Sequence, residues 1–174
     1  MFEILKNEEI YEKIFFNMIP HAKKFIWIAT ADIKDLYIKN GKTMIPFLNI
    51  LADYIKKGVL IRIIHAKEPG ELFRKDFDKN PVLINGLERM LCPRNHMKLI
   101  IVDNKLAFMG SPNLTGAGMG AKSPNRRNFE TGIISDDKST VKEISDIFDN
   151  LWIGKFCHKC ERKKFCPEFE LMKK

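Results

Sequence analysis

Apolar positions along the chain follow two patterns, one recurring at helical spacing and the other running as short unbroken blocks. Ile10, Tyr11, Ile14, Phe15 and Met18 recur on one helical face up to Pro20, with Asn7 as the expected cap. Residues 24–29 form a short apolar block after a leading charge, which predicts a buried strand, and a polar loop follows over 30–35. Asn40-Gly41 predicts a turn. Thr43 is the expected cap of a second helix, with Pro46 in its tolerated first turn and Ile45, Leu48, Leu51, Ala52 and Ile55 along one face until Gly58. Residues 59–64 then predict a second buried strand, and a crossover of that length implies parallel pairing with the first.

The charged stretch 68–80 predicts a short helix packed by Leu72 and Phe73. Asn85-Gly86 predicts another turn, and 87–91 a third strand ending at Cys92-Pro93. Residues 97–102 predict a strand that Asp103-Asn104 turns into a partner over 105–109, a tight hairpin. A loop containing Gly116, Gly118 and Gly120 precedes a further strand over 128–134. Thr140-x-x-Glu143 fits a capping box, and Val141, Ile144, Ile147, Phe148, Leu151 and Trp152 give the final helix its apolar face. This alternation predicts an α/β (α+β) sandwich with a mixed, largely parallel sheet flanked by helices. One domain is expected over 1–154, with a basic, cysteine-containing tail over 155–174.

The least replaceable chemistry lies between Asn95 and Asn113. His96 and Lys98 are two apart, so in extended chain they leave the same face and put an imidazole beside a fixed positive charge. Gly110-Ser111-Pro112-Asn113 adds a hydroxyl, an amide and backbone N–H groups, the parts that a phosphate site needs. Asp103 is an odd number of positions from His96, hence on the opposite face of a regular strand and expected to anchor the turn instead of reacting.

The spacing H-x-K-x4-D-x6-G-S-x-N, complete in these residues, resembles the HKD motif of the phospholipase D superfamily. The resemblance implies a phospholipase D-like fold and a phosphodiesterase that works through a phospho-histidine. His96 would be the nucleophile and Lys98 would balance the phosphate oxygens. Asn113, with Ser111 and Gly110, would bind or position the phosphate. Glu130 resembles the downstream acidic residue that orients the histidine in nucleases of this family with a single motif. The chain holds one full motif, since His21-Ala22-Lys23 and His65-Ala66-Lys67 share only the H-x-K. The resemblance therefore implies a homodimer in which two copies of His96 share one site, with no cofactor for catalysis.

Charge narrows the substrate. The net charge of +8, with seven Lys or Arg against three Glu over 155–174, favours a polyanion. Lys122, Arg126 and Arg127 are candidate nucleic-acid contacts in the loop after the motif. An endonuclease is therefore the expected function. A phospholipid hydrolase of the cardiolipin type is the alternative, and a nucleic-acid-binding or repair-accessory module with a residual phosphate pocket is a second. No apolar run is long enough for a membrane span, and the N-terminus lacks the apolar core of a secretory signal, so a cytoplasmic location is expected. Cys157, Cys160 and Cys166 form C-x2-C-x5-C, and Cys92 is the remaining cysteine. Three thiolates at that spacing suggest a metal, with Cys92 as the fourth ligand and His158 as its alternative, and a site closed by four cysteines would be structural, holding zinc first and an iron–sulfur cluster second.

Overall fold

The computed structural model describes residues 2–34 and 36–169. Asp35 and the end of the tail beyond 169 lie outside the described residues. A seven-stranded sheet forms the centre, in the order β1-β9-β8-β7-β2-β5-β6. These strands are β1 (Phe2–Lys6), β2 (Phe25–Thr30), β5 (Leu60–His65), β6 (Leu87–Leu91), β7 (Leu99–Val102), β8 (Leu106–Gly110) and β9 (Thr131–Ser135). A separate hairpin pairs β3 (Tyr37–Asn40) with β4 (Thr43–Pro46).

The α/β architecture and the mixed sheet agree with the sequence. β2 pairs parallel with β5, and β5 with β6, through helical crossovers. The parallel part stops there: β7 runs antiparallel to β2, and β8, β9 and β1 continue antiparallel. The sheet is thus less parallel than its apolar blocks suggest, because buried antiparallel strands read the same way as parallel ones.

Alternating residues on β2 feed two cores. Ile26 and Ile28 face α1 (Glu8–Glu12), α2 (Phe47–Lys56) and α4 (Val82–Gly86), packing with Ile10, Leu51 and Leu83. Phe25, Trp27 and Ala29 face α5 (Lys138–Trp152), packing with Val141, Ile144 and Phe148. Helix α1 passes directly into a π-helical segment, Lys13–Met18, and a last turn at Ile19–His21.

Several local expectations fail for identifiable reasons. Asn7 does not cap α1: it takes a positive φ, and its side chain accepts a hydrogen bond from Glu130 N–H instead. Residues 43–46 are strand β4, and α2 starts only at Phe47 after an extended Pro46. Asn85-Gly86 ends α4 and does not form a free-standing turn. In α3 (Glu71–Asp78) Phe73 is buried but Leu72 faces solvent. Asp137 caps α5, accepting from Thr140 N–H, so Thr140 lies inside the helix.

Phe108 explains two glycines. A Cβ on Gly132 would stand 2.4 Å from Cε2 of that buried ring, and a Cβ on Gly110 would stand 2.6 Å from Thr131 O. Gly110 is thus required by the approach of β9 to β8, a demand of packing independent of substrate.

Candidate active site

The motif loop lies where the ends of β2 and β5 meet the start of β7. Asn95 is buried there and wedges the loop in place. Its Nδ2 donates to Thr30 O at 2.9 Å and to Ile64 O at 3.1 Å, while its Oδ1 accepts from Met97 N–H at 3.1 Å. These bonds satisfy the carbonyls at the strand ends and fix the backbone on either side of His96.

Lys98 folds back onto His96. Its Nζ stands 3.1 Å from Nδ1 and 3.4 Å from Nε2, and donates to His96 O at 2.9 Å. The lysine is only 9% exposed. Burial pushes its ammonium below the ordinary lysine value, with the negative charge of Glu130 opposing the shift. An imidazole nitrogen accepts from that ammonium only while it carries no proton itself.

Asn113 is fixed from the other side. Its Oδ1 accepts from Asp32 N–H at 3.2 Å and from Thr30 Oγ1 at 3.5 Å, and Thr30 Oγ1 in turn accepts from Leu114 N–H. His96 and Asn113 open into one cleft of about 660 Å³, whose rim includes Lys67, Arg94 and Arg162. These three basic residues come from three separate segments, of which the sequence pattern singled out only the basic tail that bears Arg162. Lys67 belongs to one of the incomplete H-x-K repeats. The buried histidine of that repeat, His65, bonds to Lys67 O at 2.7 Å and is pushed to a lower pKa by its burial.

Other candidate residues lie elsewhere. Lys122 and Arg126 do not line this cleft, and Arg127 pairs with Glu8 at 2.9 Å. Glu130 bonds to Ser111 Oγ through one carboxylate oxygen and accepts from Asn128 Nδ2 at 3.0 Å through the other. Among the described residues its carboxylate thus bonds to Ser111 and Asn128 and not to His96.

Asp103 stands at the far end of β7, in a turn where it and Asn104 both have positive φ. Its carboxylate accepts from the N–H groups of Lys23, Lys24 and Phe25, each at 2.8 Å, and so pins the start of β2. Burial alone would raise this carboxyl, but the three donors outweigh it and hold it below its ordinary value. The resulting stability is fully present above the unfolded carboxyl pKa and is lost as pH falls through the depressed folded value. We expect Asp103→Ala to lose about 2 kcal/mol at neutral pH, the lower part of the range for bonds to a charged group because the turn is partly solvated. Urea unfolding should show the gap between the two proteins closing below pH 4 or so.

The cysteines converge beside the cleft. Cys92, Cys157 and Cys160 line a second cavity of about 220 Å³ together with Arg94, Asn95 and His96. Cys166 Sγ lies 3.7 Å from Leu91 O, and Glu168 accepts from Leu91 N–H, so the tail docks on edge strand β6. None of the four is joined in a disulfide. Burial pushes the Cys157 thiol up, and the charges of Cys166, Cys92 and Cys160 push it the same way. Among the described residues, no three His, Cys, Asp or Glu side chains stand together in metal-holding geometry.

Comparison with known proteins bears on the fold and the family. A family model described as cardiolipin synthase, PLD-like domain, matches residues 15–152. A cardiolipin synthase of Halalkalibacterium halodurans is 32% identical over 111 residues, covering 61% of this chain but only 20% of that protein. The match thus spans about a fifth of that relative's length. Among solved structures, NucT from Helicobacter pylori superposes with a TM-score of 0.60 at 15% identity, covering 86% of this chain and 95% of that one. Nuc from Salmonella typhimurium, a phospholipase D family member, gives 0.62 at 17% identity, with 87% and 93% covered. The fold is shared with these two structures, and with the family model matching most of its length, the chain belongs to the phospholipase D superfamily.

Proposed function

We propose that this chain is a phosphodiesterase that cuts nucleic-acid phosphodiester bonds, as an endonuclease, at a site shared by two copies. The observation that carries the reading is the cleft, in which His96 and Asn113 lie below a rim of Lys67, Arg94 and Arg162. A phosphate chain longer than one residue would meet positive charge on either side of the reacting group.

The chemistry proceeds in two displacements. The unprotonated His96 nitrogen attacks phosphorus, an N–P bond forms, and the P–O bond to the leaving oxygen breaks. The imidazolium of the second copy's His96 gives its proton to that oxygen. That imidazole, now neutral, takes a proton from water, whose oxygen attacks phosphorus as the N–P bond breaks. Both histidines return to their starting protonation, and the net reaction is hydrolysis. The Lys98 ammonium offsets the charge that builds on the non-bridging oxygens. One chain carries one such imidazole in the cleft, and an isologous dimer supplies the other.

A second reading is phospholipid chemistry, favoured by the similarity to a cardiolipin synthase. Phe129, 96% exposed next to Glu130, is an apolar element that would suit it. Labelled DNA, RNA and cardiolipin vesicles, each at saturating concentration in chelator, separate the two. We expect nucleic acid to be cut, by a species with the solution mass of a dimer, and the vesicles to remain intact. Turnover of cardiolipin alone would transfer the assignment to the second reading. Nucleic-acid binding without cleavage would leave only an accessory module.

A further inference from the structure

Two distant parts of the chain bring four thiols to one corner of the molecule. Cys92 follows the last residue of β6, Cys157 and Cys160 lie in the turns after α5, and Cys166 precedes the turn Pro167–Phe169. The first three line one cavity, and Cys166 bonds to the carbonyl of Leu91, the neighbour of Cys92. Arg94 lines the same cavity as Cys92, Cys157 and Cys160, a positive charge beside three sulfurs.

The segment carrying three of these cysteines has little else to hold it. Beyond α5 it forms only turns and short 3-10 pieces, and Phe156 and Phe165 are half exposed. Its apolar surface is therefore mostly unburied, yet it places Arg162 on the rim of the cleft. A segment without a core holds its position through a cross-link or a metal, and no disulfide joins these thiols.

We propose that Cys92, Cys157, Cys160 and Cys166 form a four-thiolate zinc site that staples this segment to the end of β6. Among the described residues no three such side chains stand in metal-holding geometry, so the sulfurs close on the ion as it binds. Each thiol releases its proton to solvent on binding, and the two negative charges of the filled site face Arg94. A closed shell of four sulfurs leaves no position for substrate, so the ion takes no part in the displacement. Its consequence for the cleft is indirect: Arg94 lines both cavities, and the staple fixes it and Arg162 on the substrate's path.

The test measures the metal first, which keeps it independent of the substrate. The full chain, purified with zinc supplied, should hold about one zinc per chain with its four thiols protected from a disulfide reagent. Chelation should release the zinc and expose all four. Substitution of Cys157→Ser with Cys160→Ser should abolish zinc binding, and in nucleic-acid cleavage raise KM about tenfold while leaving kcat within a few fold. Thiols that react freely in the presence of zinc would overturn the site, as would paired disulfides, or iron with sulfide in place of zinc. If the double variant fails to fold, chelation of the unsubstituted chain carries the same readouts.

Discussion

His96→Ala should abolish turnover, with cleavage falling by at least about 10⁴-fold, since in a symmetric dimer one substitution removes both the nucleophile and the acid. The fold should be unaffected, because the side chain faces the cleft and, among the described residues, its side-chain hydrogen bonds are to Lys98. Rapid acid-free quenching with labelled substrate should trap a phosphate on nitrogen in the parent protein and none in the variant. Mixed dimers of parent and variant sharpen the result. Each carries one imidazole where two are needed, so activity should follow the square of the parent fraction. A linear dependence would show that each chain works alone, and cleavage that survives the substitution would remove the phospho-histidine altogether.

Asn95→Leu should have the largest effect on stability, about 3 kcal/mol, read as a drop in the urea midpoint with an unchanged slope. The leucine has similar volume but strands three partners: the buried carbonyls of Thr30 and Ile64 and the half-buried N–H of Met97. Each unpaired group costs on the order of 1–3 kcal/mol, with water relieving part of the sum. Activity should fall beyond what unfolding explains, since the same bonds set the backbone that aims His96. An Asn95→Leu protein with unchanged stability would mean that the loop is positioned by something else, and the wedge would lose its role.

The parts of this molecule legible in the sequence are those in which local pattern and long-range structure agree. Residues 24–29 and 59–64 read as buried strands because both of their faces are covered, and they pair in parallel across α2. The motif spacing put His96, Lys98 and Asn113 together without any knowledge of the fold. Strand β1 was missed because its alternation points the wrong way: Phe2 and Ile4 are exposed while Leu5 is buried. The β3–β4 hairpin was half seen, since Asn40-Gly41 signals the turn, but the apolar spacing of α2 continues backward through Ile45 and disguises the strand. Lys67 and Arg94 carried no local signal and Arg162 only that of the basic tail, because only the closed fold gathers a strand end, a loop and the tail onto one rim. Conversely, Arg126 and Arg127 carried a strong local signal, and the fold ties Arg127 to Glu8.

That ion pair belongs to a larger clasp. Asn7 exchanges hydrogen bonds with Glu130 through its backbone N–H and its side chain, next to the pairing of β1 with β9. Phe2 lies opposite Ser135, so β1 cannot pair until β9, far along the sequence, is available. Such a contact is costly in loop entropy and forms late. The segment bearing Glu130 is therefore among the last parts of the molecule to settle, and a nascent chain long enough to expose His96 is still without it. Refolding followed by hydrogen exchange would see β2 and β5 protected early and β1 and β9 together at the end.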